Sequence, residues 1–225
     1  MSIQRSIPID GPAGSGKSTI AKLLAKKLGM RYVSTGDMYR ALALCVIRGS
    51  ADPNDAEKVS ELCKSSDICL EPSLNGGQLV FLNGEDVTSL VRTPEVDRVV
   101  SPISLPEEVR KSMALRQREI AGRYDVVMDG RDIGTVVIPE ALCKIFLVAS
   151  VEERAKRRQT DYRNSGREVD LNVIIEDLKR RDLIDSTRKI APLKQAEGAF
   201  LVDSTDKSIE QVLEEIYKLV KSTLK

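Results

Sequence analysis

Gly11-Pro12-Ala13-Gly14-Ser15-Gly16-Lys17-Ser18-Thr19, directly behind Ile7-Pro8-Ile9-Asp10, is the stretch on which the fold turns. It fills the pattern G-x-x-x-x-G-K-[ST]. Glycines there let backbone N–H groups close around phosphate oxygens, a lysine reaches the β- and γ-phosphates, and a hydroxyl, here Ser18, sits on Mg²⁺. The flanks match. Ahead lies a short apolar run with the look of a strand; behind, Ile20, Leu23, Leu24 and Leu28 recur at helical spacing up to Gly29, a residue suited to a helix C-terminus. Strand, glycine loop and helix N-terminus therefore follow in the order of a phosphate site, and the helix dipole adds to its pull on an anion. The alternative is a glycine-rich surface turn capping an ordinary helix. The completeness of the pattern and its two flanks weigh against it.

Composition sets the frame around this loop. With 225 residues, 41% hydrophobic and 31% charged, the chain is long enough for one sizeable α/β domain carrying a small insertion. Thirty-five Lys+Arg against 34 Asp+Glu leave a net charge of +1, so no global field points to nucleic acid or membrane. There is no histidine, which excludes histidine acid–base chemistry and histidine-ligated metals. Cys45, Cys63, Cys69 and Cys143 fit neither a disulfide framework nor a zinc site, and burial as small hydrophobes in a reducing compartment is expected for them. No apolar run approaches bilayer length and Met1-Ser2-Ile3-Gln4-Arg5 lacks a signal-peptide layout, so the expected location is cytoplasmic.

Downstream, Arg31-Tyr32-Val33 reads as a strand, and Ser34-Thr35-Gly36-Asp37 turns into a helix over 38–47. A second helix is expected over 54–64. The character then changes: short strand-like runs at 68–70, 78–82 and 85–87 are separated by Asn75-Gly76-Gly77 and Asn83-Gly84, strong hairpin signals. Three antiparallel strands do not belong in a sheet of βαβ units, so residues 66–94 are read as an inserted lobe. The α/β rhythm resumes at the capping-box spacing Ser104-Leu105-Pro106-Glu107, which predicts a helix to about residue 121. Strands follow at 125–128, 144–149 and 199–202. Helices follow at 154–163, broken by Asn164-Ser165-Gly166, then at 171–186 and behind Ser208, where Ile209, Val212, Leu213, Ile216, Tyr217 and Val220 should face the sheet. Such alternation implies a three-layer P-loop NTPase-type α/β domain with ligands at the carboxyl ends of parallel strands.

A P-loop alone says only that a nucleoside triphosphate binds. The guanine-reading segment and Asp-x-x-Gly switch of a GTPase are absent, while arginines are plentiful: Arg40, Arg92, Arg110, Arg131, Arg154, Arg157, Arg158, Arg180, Arg181 and Arg188. Guanidinium forks suit phosphate oxygens, and phosphoryl transfer needs positioning and cations more than covalent chemistry. By spacing alone, Arg154, Arg157 and Arg158 read as a solvated helix face paired with Glu152 and Glu153, and Arg180, Arg181 and Arg188 read likewise. Asp129-Gly130-Arg131-Asp132 differs, because it follows a buried strand directly and so stands where open α/β sheets bind ligands.

Asp129-Gly130-Arg131-Asp132-Ile133-Gly134-Thr135-Val136-Val137, with Thr35-Gly36-x-Met38-Tyr39-Arg40 and Ala191-Pro192-Leu193, resembles the bacterial cytidylate kinases, P-loop nucleoside monophosphate kinases. The resemblance runs from the glycine loop to the terminal helix and includes the three-stranded insertion. It implies a five-stranded parallel sheet, a CMP-binding lobe (66–94) and a short helical lid bearing arginines (153–168). It also implies a monomer using ATP with Mg²⁺ to phosphorylate CMP or dCMP, with no nucleic-acid or membrane partner. Carried over by residue, Gly11, Pro12, Ala13, Gly14, Ser15, Gly16, Lys17, Ser18 and Thr19 surround the ATP phosphates, with Lys17 bridging donor and transferred phosphoryl and Ser18 at the metal. Thr35, Arg40, Arg131 and Arg188 match positions holding the acceptor phosphate; Ser101, Arg110 and Asp132 match those reading cytosine; Arg181 and Asp185 match those near sugar and phosphate. Arg154, Arg157 and Arg158 fall on the lid, which replaces the solvated-face reading, and Arg158 joins Lys17, Arg131, Asp129 and Arg188 as the catalytic set. Asp129 is expected to orient Arg131 and Lys17 or to act through Mg²⁺-bound water.

The sequence departs from the family pattern in places. Ser34 stands where the family commonly has aspartate, Asp37 where it has a small residue, and Gln195 and Gly198 replace the usual proline and aspartate. A carboxylate aimed into an acceptor-phosphate loop would repel the phosphate, so Asp37 is expected to point outward as a helix N-terminal charge. Two rival functions stay open at this level: a P-loop kinase for UMP, AMP or another metabolite, and a nucleotide-dependent binding switch.

Overall fold

The computed structural model describes residues 5–74, 76–164 and 166–224; residues 1–4, Asn75 of the expected turn, Ser165 of the expected helix break and Lys225 lie outside them. At the centre is β1 (Ser6–Asp10), flanked by β6 (Val126–Gly130) and β7 (Ile145–Val148), with β2 (Arg31–Ser34) and β8 (Phe200–Asp203) at the edges. All four pairings are parallel, in the order β2-β6-β1-β7-β8. Pairing with β7 begins only at Ile9, which leaves room in this central strand for Pro8, a residue with no N–H for a ladder.

Strand alternation divides the core between two faces. Ile7, Ile9, Val127 and Leu147 pack with Ile20 and Leu24 of α1 (Lys17–Leu28) and with Val212 and Ile216 of α8 (Ile209–Thr223). Val33, Val126 and Met128 pack on the opposite side with Met38 and Leu42 of α2 (Thr35–Arg48) and Met113 of α5 (Glu107–Arg123). Each such fully buried side chain contributes about 1.5–3 kcal/mol. Helix α8 carries both halves of the capping box at Ser208, but Ile209, its first residue, is about half exposed and does not face the sheet.

The inserted strands β3 (Ile68–Pro72), β4 (Gln78–Leu82) and β5 (Glu85–Asp86) form a separate antiparallel sheet in that order. Asn83 and Gly84, at φ +52° and +82°, make the tight turn between β4 and β5. Leu70, Val80 and Leu82 join the core cluster of α2, so the lobe has no core of its own. It is also fastened to edge strand β2: the Gln78 amide accepts from the Ser34 N–H (2.9 Å) and donates to the Ser34 carbonyl (3.4 Å), while Arg31 donates to the Leu70 carbonyl.

Some local expectations give way. The capping box at Ser104 does not form; Ser104 Oγ donates to the Ser101 carbonyl, and α5 starts behind Pro106. The reason is a further helix, α4 (Pro94–Ile103), capped by Thr93 with proline in its first turn, a start signal masked by the proposed lobe boundary. Helix α2 begins at Thr35 rather than at residue 38, so the acceptor-type loop is a helix N-terminus. Helix α3 (Ala56–Ser65) starts at a side-chain cap from Asp55. Cys63 and Cys143 are buried, but Cys69 lies on the outward face of β3 and is exposed. Among the described residues no helix is long and apolar enough to cross a membrane.

Candidate active site

The carboxyl ends of β1, β2 and β6 meet beneath one cavity of about 240 Å³. From β1 the chain enters the glycine loop through Gly11, where a Cβ would overlap the Leu147 carbonyl oxygen, so only glycine lets the loop pass that close to β7. Lys17 opens α1 and donates to the Pro12 carbonyl at 2.6 Å. Burial, followed by the Arg131 charge, holds its ammonium well below the ordinary lysine value, with Asp129 and Asp10 working the other way.

Asp129 is the next-to-last residue of β6, opposite Ile9 on one side and Ser34 on the other. Asp129 Oδ2 accepts from Ser18 Oγ, and Oδ1 is buried without a hydrogen-bond partner among the described residues. Burial pushes this carboxyl up, against the Ser18 bond and the Lys17 charge. A P-loop hydroxyl beside a carboxylate with an open oxygen is a hard-oxygen donor pair of the kind that suits Mg²⁺ shared with phosphates. Among the described residues no group of three or more His, Cys, Asp or Glu could hold a metal by itself. Arg131 is oriented by Asp185 (Nε to Oδ2, 2.8 Å) and not by Asp129, whose backbone carbonyl instead accepts from Thr35 Oγ1 at 2.8 Å.

Beyond β6 the loop enters a π-helical turn, Ile133–Val137, pinned by Asp10. Both Asp10 oxygens accept backbone N–H groups, from Ile133 at 2.9 Å and Gly134 at 2.7 Å. Burial raises this carboxyl to about 6 despite those bonds. The turn presents Asp132 to Arg110 of α5 at 2.6 Å, both side chains being buried. Arg188, at the end of α7 (Leu171–Thr187), stands 3.7 Å from Asp132 and 3.5 Å from Asp185. The result is an alternating ladder, Arg110–Asp132–Arg188–Asp185–Arg131, built from three separate segments. Arg188 Nη2 and Arg110 Nε are buried donors with no hydrogen-bond partner among the described residues. Burial, then repulsion from Arg110, holds Arg188 below the ordinary arginine value, whereas burial opposes but Arg131 wins in holding Asp185 below the usual carboxylate range.

Thr35, Arg40, Ser101 and Arg181 complete the cavity wall, together with Ala13, Gly14 and Ser18 of the glycine loop and Arg158 of α6 (Val151–Asn164). Gly11, Pro12, Ser15 and Gly16 form the body of the loop behind that wall, while Thr19 is exposed in the first turn of α1 and does not line the cavity. The three arginines of α6 separate. Arg158 reaches the cavity, Arg154 is a buried strut donating to the carbonyls of Ala13 and Ala149 and to Asp182, and Arg157 grips Ser15 and Ser204. Arg180 is exposed and paired with Asp177, a solvated-face residue as its spacing suggests.

Asp37 overturns the expectation set for it. Its side chain is 5% exposed and lines the cavity, held by Arg92 Nη2 (2.9 and 2.8 Å) and by the Gln78 amide (3.4 Å). Its charge points inward because an arginine from the 3₁₀ turn Leu90–Arg92 meets it there. Arg92, Ser34, Tyr39 and Ser104 are further wall residues that the sequence reading did not place at the site. Tyr39 lies under the Arg110 guanidinium at 5.7 Å from the ring centroid, and burial pushes its hydroxyl up to about 12.

A family model, Cytidylate kinase, matches residues 7–222. Proteins named cytidylate kinase from Caldanaerobacter subterraneus subsp. tengcongensis and Geobacillus sp. strain WCH70 are 48% and 49% identical over 97% and 95% of this chain and 96% and 95% of theirs. The crystal structure of a gluconokinase from Sinorhizobium meliloti 1021 superposes at a TM-score of 0.52 with 15% identity, covering 100% of this chain and 96% of that one, a likeness of fold alone. A P-loop facing a buried Arg/Asp ladder across one cavity, matched over nearly the whole length at this identity, places the chain in the cytidylate kinase family.

Proposed function

We propose that the chain transfers the γ-phosphoryl group of MgATP to CMP or dCMP, giving ADP and CDP or dCDP. The observation that carries this reading is the single cavity joining Lys17 and Ser18 to the Arg110–Asp132–Arg188 group. The glycine loop cradles the triphosphate with backbone N–H groups, and Lys17 exchanges its bond to the Pro12 carbonyl for the transferred phosphoryl. Ser18 and Asp129 would hold Mg²⁺, which when bound with ATP would supply positive charge to the triphosphate. Thr35, Arg40, Arg131 and Arg188 fix the acceptor phosphate in line, so its own oxygen serves as nucleophile and Asp129 need not act as base. Arg158 stabilises the charge that develops on the moving phosphoryl.

Asp132, Arg110 and Ser101 read cytosine. A carboxylate accepting from the exocyclic amino group would be left unpaired by uracil, which discriminates more strongly than shape does. Arg181 and Asp185 take the sugar and phosphate edge. Closure of the lobe at 66–94 and the lid at 153–168 excludes water, which would otherwise hydrolyse ATP. We read the protein as a cytoplasmic monomer, and the net charge of +1 gives it no general attraction for nucleic acid. A coupled ADP-release assay over CMP, dCMP, UMP, AMP and GMP tests the reading: CMP and dCMP should turn over fastest. Preference for another acceptor moves the chain to a different small-molecule kinase, and salt-dependent RNA binding without transfer points to a switch.

A further inference from the structure

Asp97 belongs to none of the roles assigned so far. It lies in the first turn of α4, where the helix N-terminus favours a negative charge, and four residues before Ser101 on the same face. Its two oxygens are divided between guanidiniums from two other elements. Oδ1 accepts from Arg40 Nη2 of α2 at 2.6 Å, and Oδ2 from Arg158 Nη2 of α6 at 3.0 Å. Both arginines line the cavity, and both salt-bridged pairs are mostly shielded from solvent. Arg181 adds a third cationic field at the same carboxylate; although burial opposes it, Arg40 and Arg158 hold Asp97 below the usual carboxylate range.

We propose that Asp97 is a positioning residue that yokes the acceptor-phosphate arginine Arg40 to the lid arginine Arg158, so that one carboxylate sets the aim of both. The proposal rests on the phosphoryl-transfer reading above. Each guanidinium has five N–H donors: Arg40 gives one nitrogen to Asp97 and the other terminal one to the Val91 carbonyl (3.2 Å), Arg158 gives one to Asp97 and rests over Tyr162, and the donors left over on each fork can meet phosphate oxygens. Tying the two forks to one point fixes their separation, the quantity an in-line transfer between two anions depends on. The same carboxylate also offsets part of the cationic charge that attracts the acceptor. Its removal therefore acts in opposite directions on binding and on turnover. A group that served only stability would not separate them.

The test is steady-state kinetics and calorimetric CMP binding on Asp97→Asn, Asp97→Glu and Arg158→Ala, with the Asp97→Asn/Arg158→Ala double variant. An asparagine amide accepts from one guanidinium and turns N–H groups toward the other, so the yoke is lost at nearly constant shape. Asp97→Asn should bind CMP at least as tightly as wild type while kcat falls about 10-fold, and Asp97→Glu should recover most of the turnover. In the Arg158→Ala background the same change should cost clearly less, about 2- to 3-fold in kcat, since only the bond to Arg40 is left to lose. Unchanged kcat in Asp97→Asn, an equal loss with and without Arg158, or failure of Asp97→Glu to recover turnover would overturn the proposal. Should Asp97→Asn fold poorly, Asp97→Ser, alone and combined with Arg158→Ala, takes its place with the same outcomes. Failure of the underlying reading is separate, because it would appear as absence of CMP turnover in the wild-type protein.

Discussion

The two halves of the cavity are made of different material. On the donor side, nine consecutive residues supply mostly backbone N–H groups, one ammonium and one hydroxyl, and the geometry follows from glycines and a helix start. On the acceptor side, side-chain charges from α2, α4, α5, the β6 end and α7 alternate in sign and hold one another in place. Backbone groups present the same face to any triphosphate. A lattice of buried charges has one arrangement, and a ligand that leaves a member unpaired is penalised. The difference explains how a generic donor loop and a selective acceptor site coexist within one small cavity.

That contrast can be tested by breaking each half. The largest effect should come from Lys17→Ala or Arg131→Ala, where both halves meet: kcat should fall about 1,000-fold or more in the ADP-release assay while the thermal unfolding midpoint stays near wild type. Turnover near wild type would remove these residues from the mechanism. Next comes Asp10, which ties the glycine loop to the turn carrying Asp132. Folding keeps its proton on between the unfolded value of 3.8 and about 6, so the native state binds more protons in that window and stability falls as pH rises through it. The contribution is about 3 kcal/mol, and unfolding free energies of wild type and Asp10→Asn should diverge over that range. Parallel curves would show that Asp10 does not titrate there.

Asp132→Ala should leave ATP affinity unchanged and reduce the preference for CMP over UMP about 50-fold, a selective-side defect with the donor side intact. Retained preference would transfer base reading to Ser101 and Arg110. The smallest effect is expected at the rim. Arg92 is 60% exposed, so Arg92→Ala should destabilise by only about 1–2 kcal/mol, but the Asp37 carboxylate left facing the acceptor should raise the CMP KM about 5-fold. Adding Asp37→Ala should return KM toward wild type, and no recovery would mean that Arg92 itself binds the acceptor.

How legible each half was in the sequence follows from the same contrast. The glycine loop is local, so its residues, order and helix could be read directly, and Asp129 through Asp132 could be placed because a strand end is a local feature too. Partnerships across the chain could not. Asp37 looked like an outward charge because nothing nearby in sequence announces Arg92, 55 positions on, as its counter-ion. Arg154 and Arg158 are one helical turn apart, yet one is a strut beneath the glycine loop and the other reaches the cavity; helical spacing gives the shared face but not what lies opposite each turn. Resemblance supplied Ser101, but the helix that carries it went unread, because Thr93-Pro94 sat at the supposed limit of the lobe.

The Gln78 amide on the backbone of Ser34 has a consequence apart from catalysis. Strand β2 is one border of the parallel sheet, and an open border invites pairing with a strand of another molecule. Gln78 occupies the Ser34 N–H and carbonyl as a neighbouring strand would, and Arg31 reaches across to β3 beside it. The inserted lobe thus shields that border from intermolecular strand addition. Deleting it would expose a templating edge, and the expected result is a chain that self-associates before any loss of nucleotide binding could be measured.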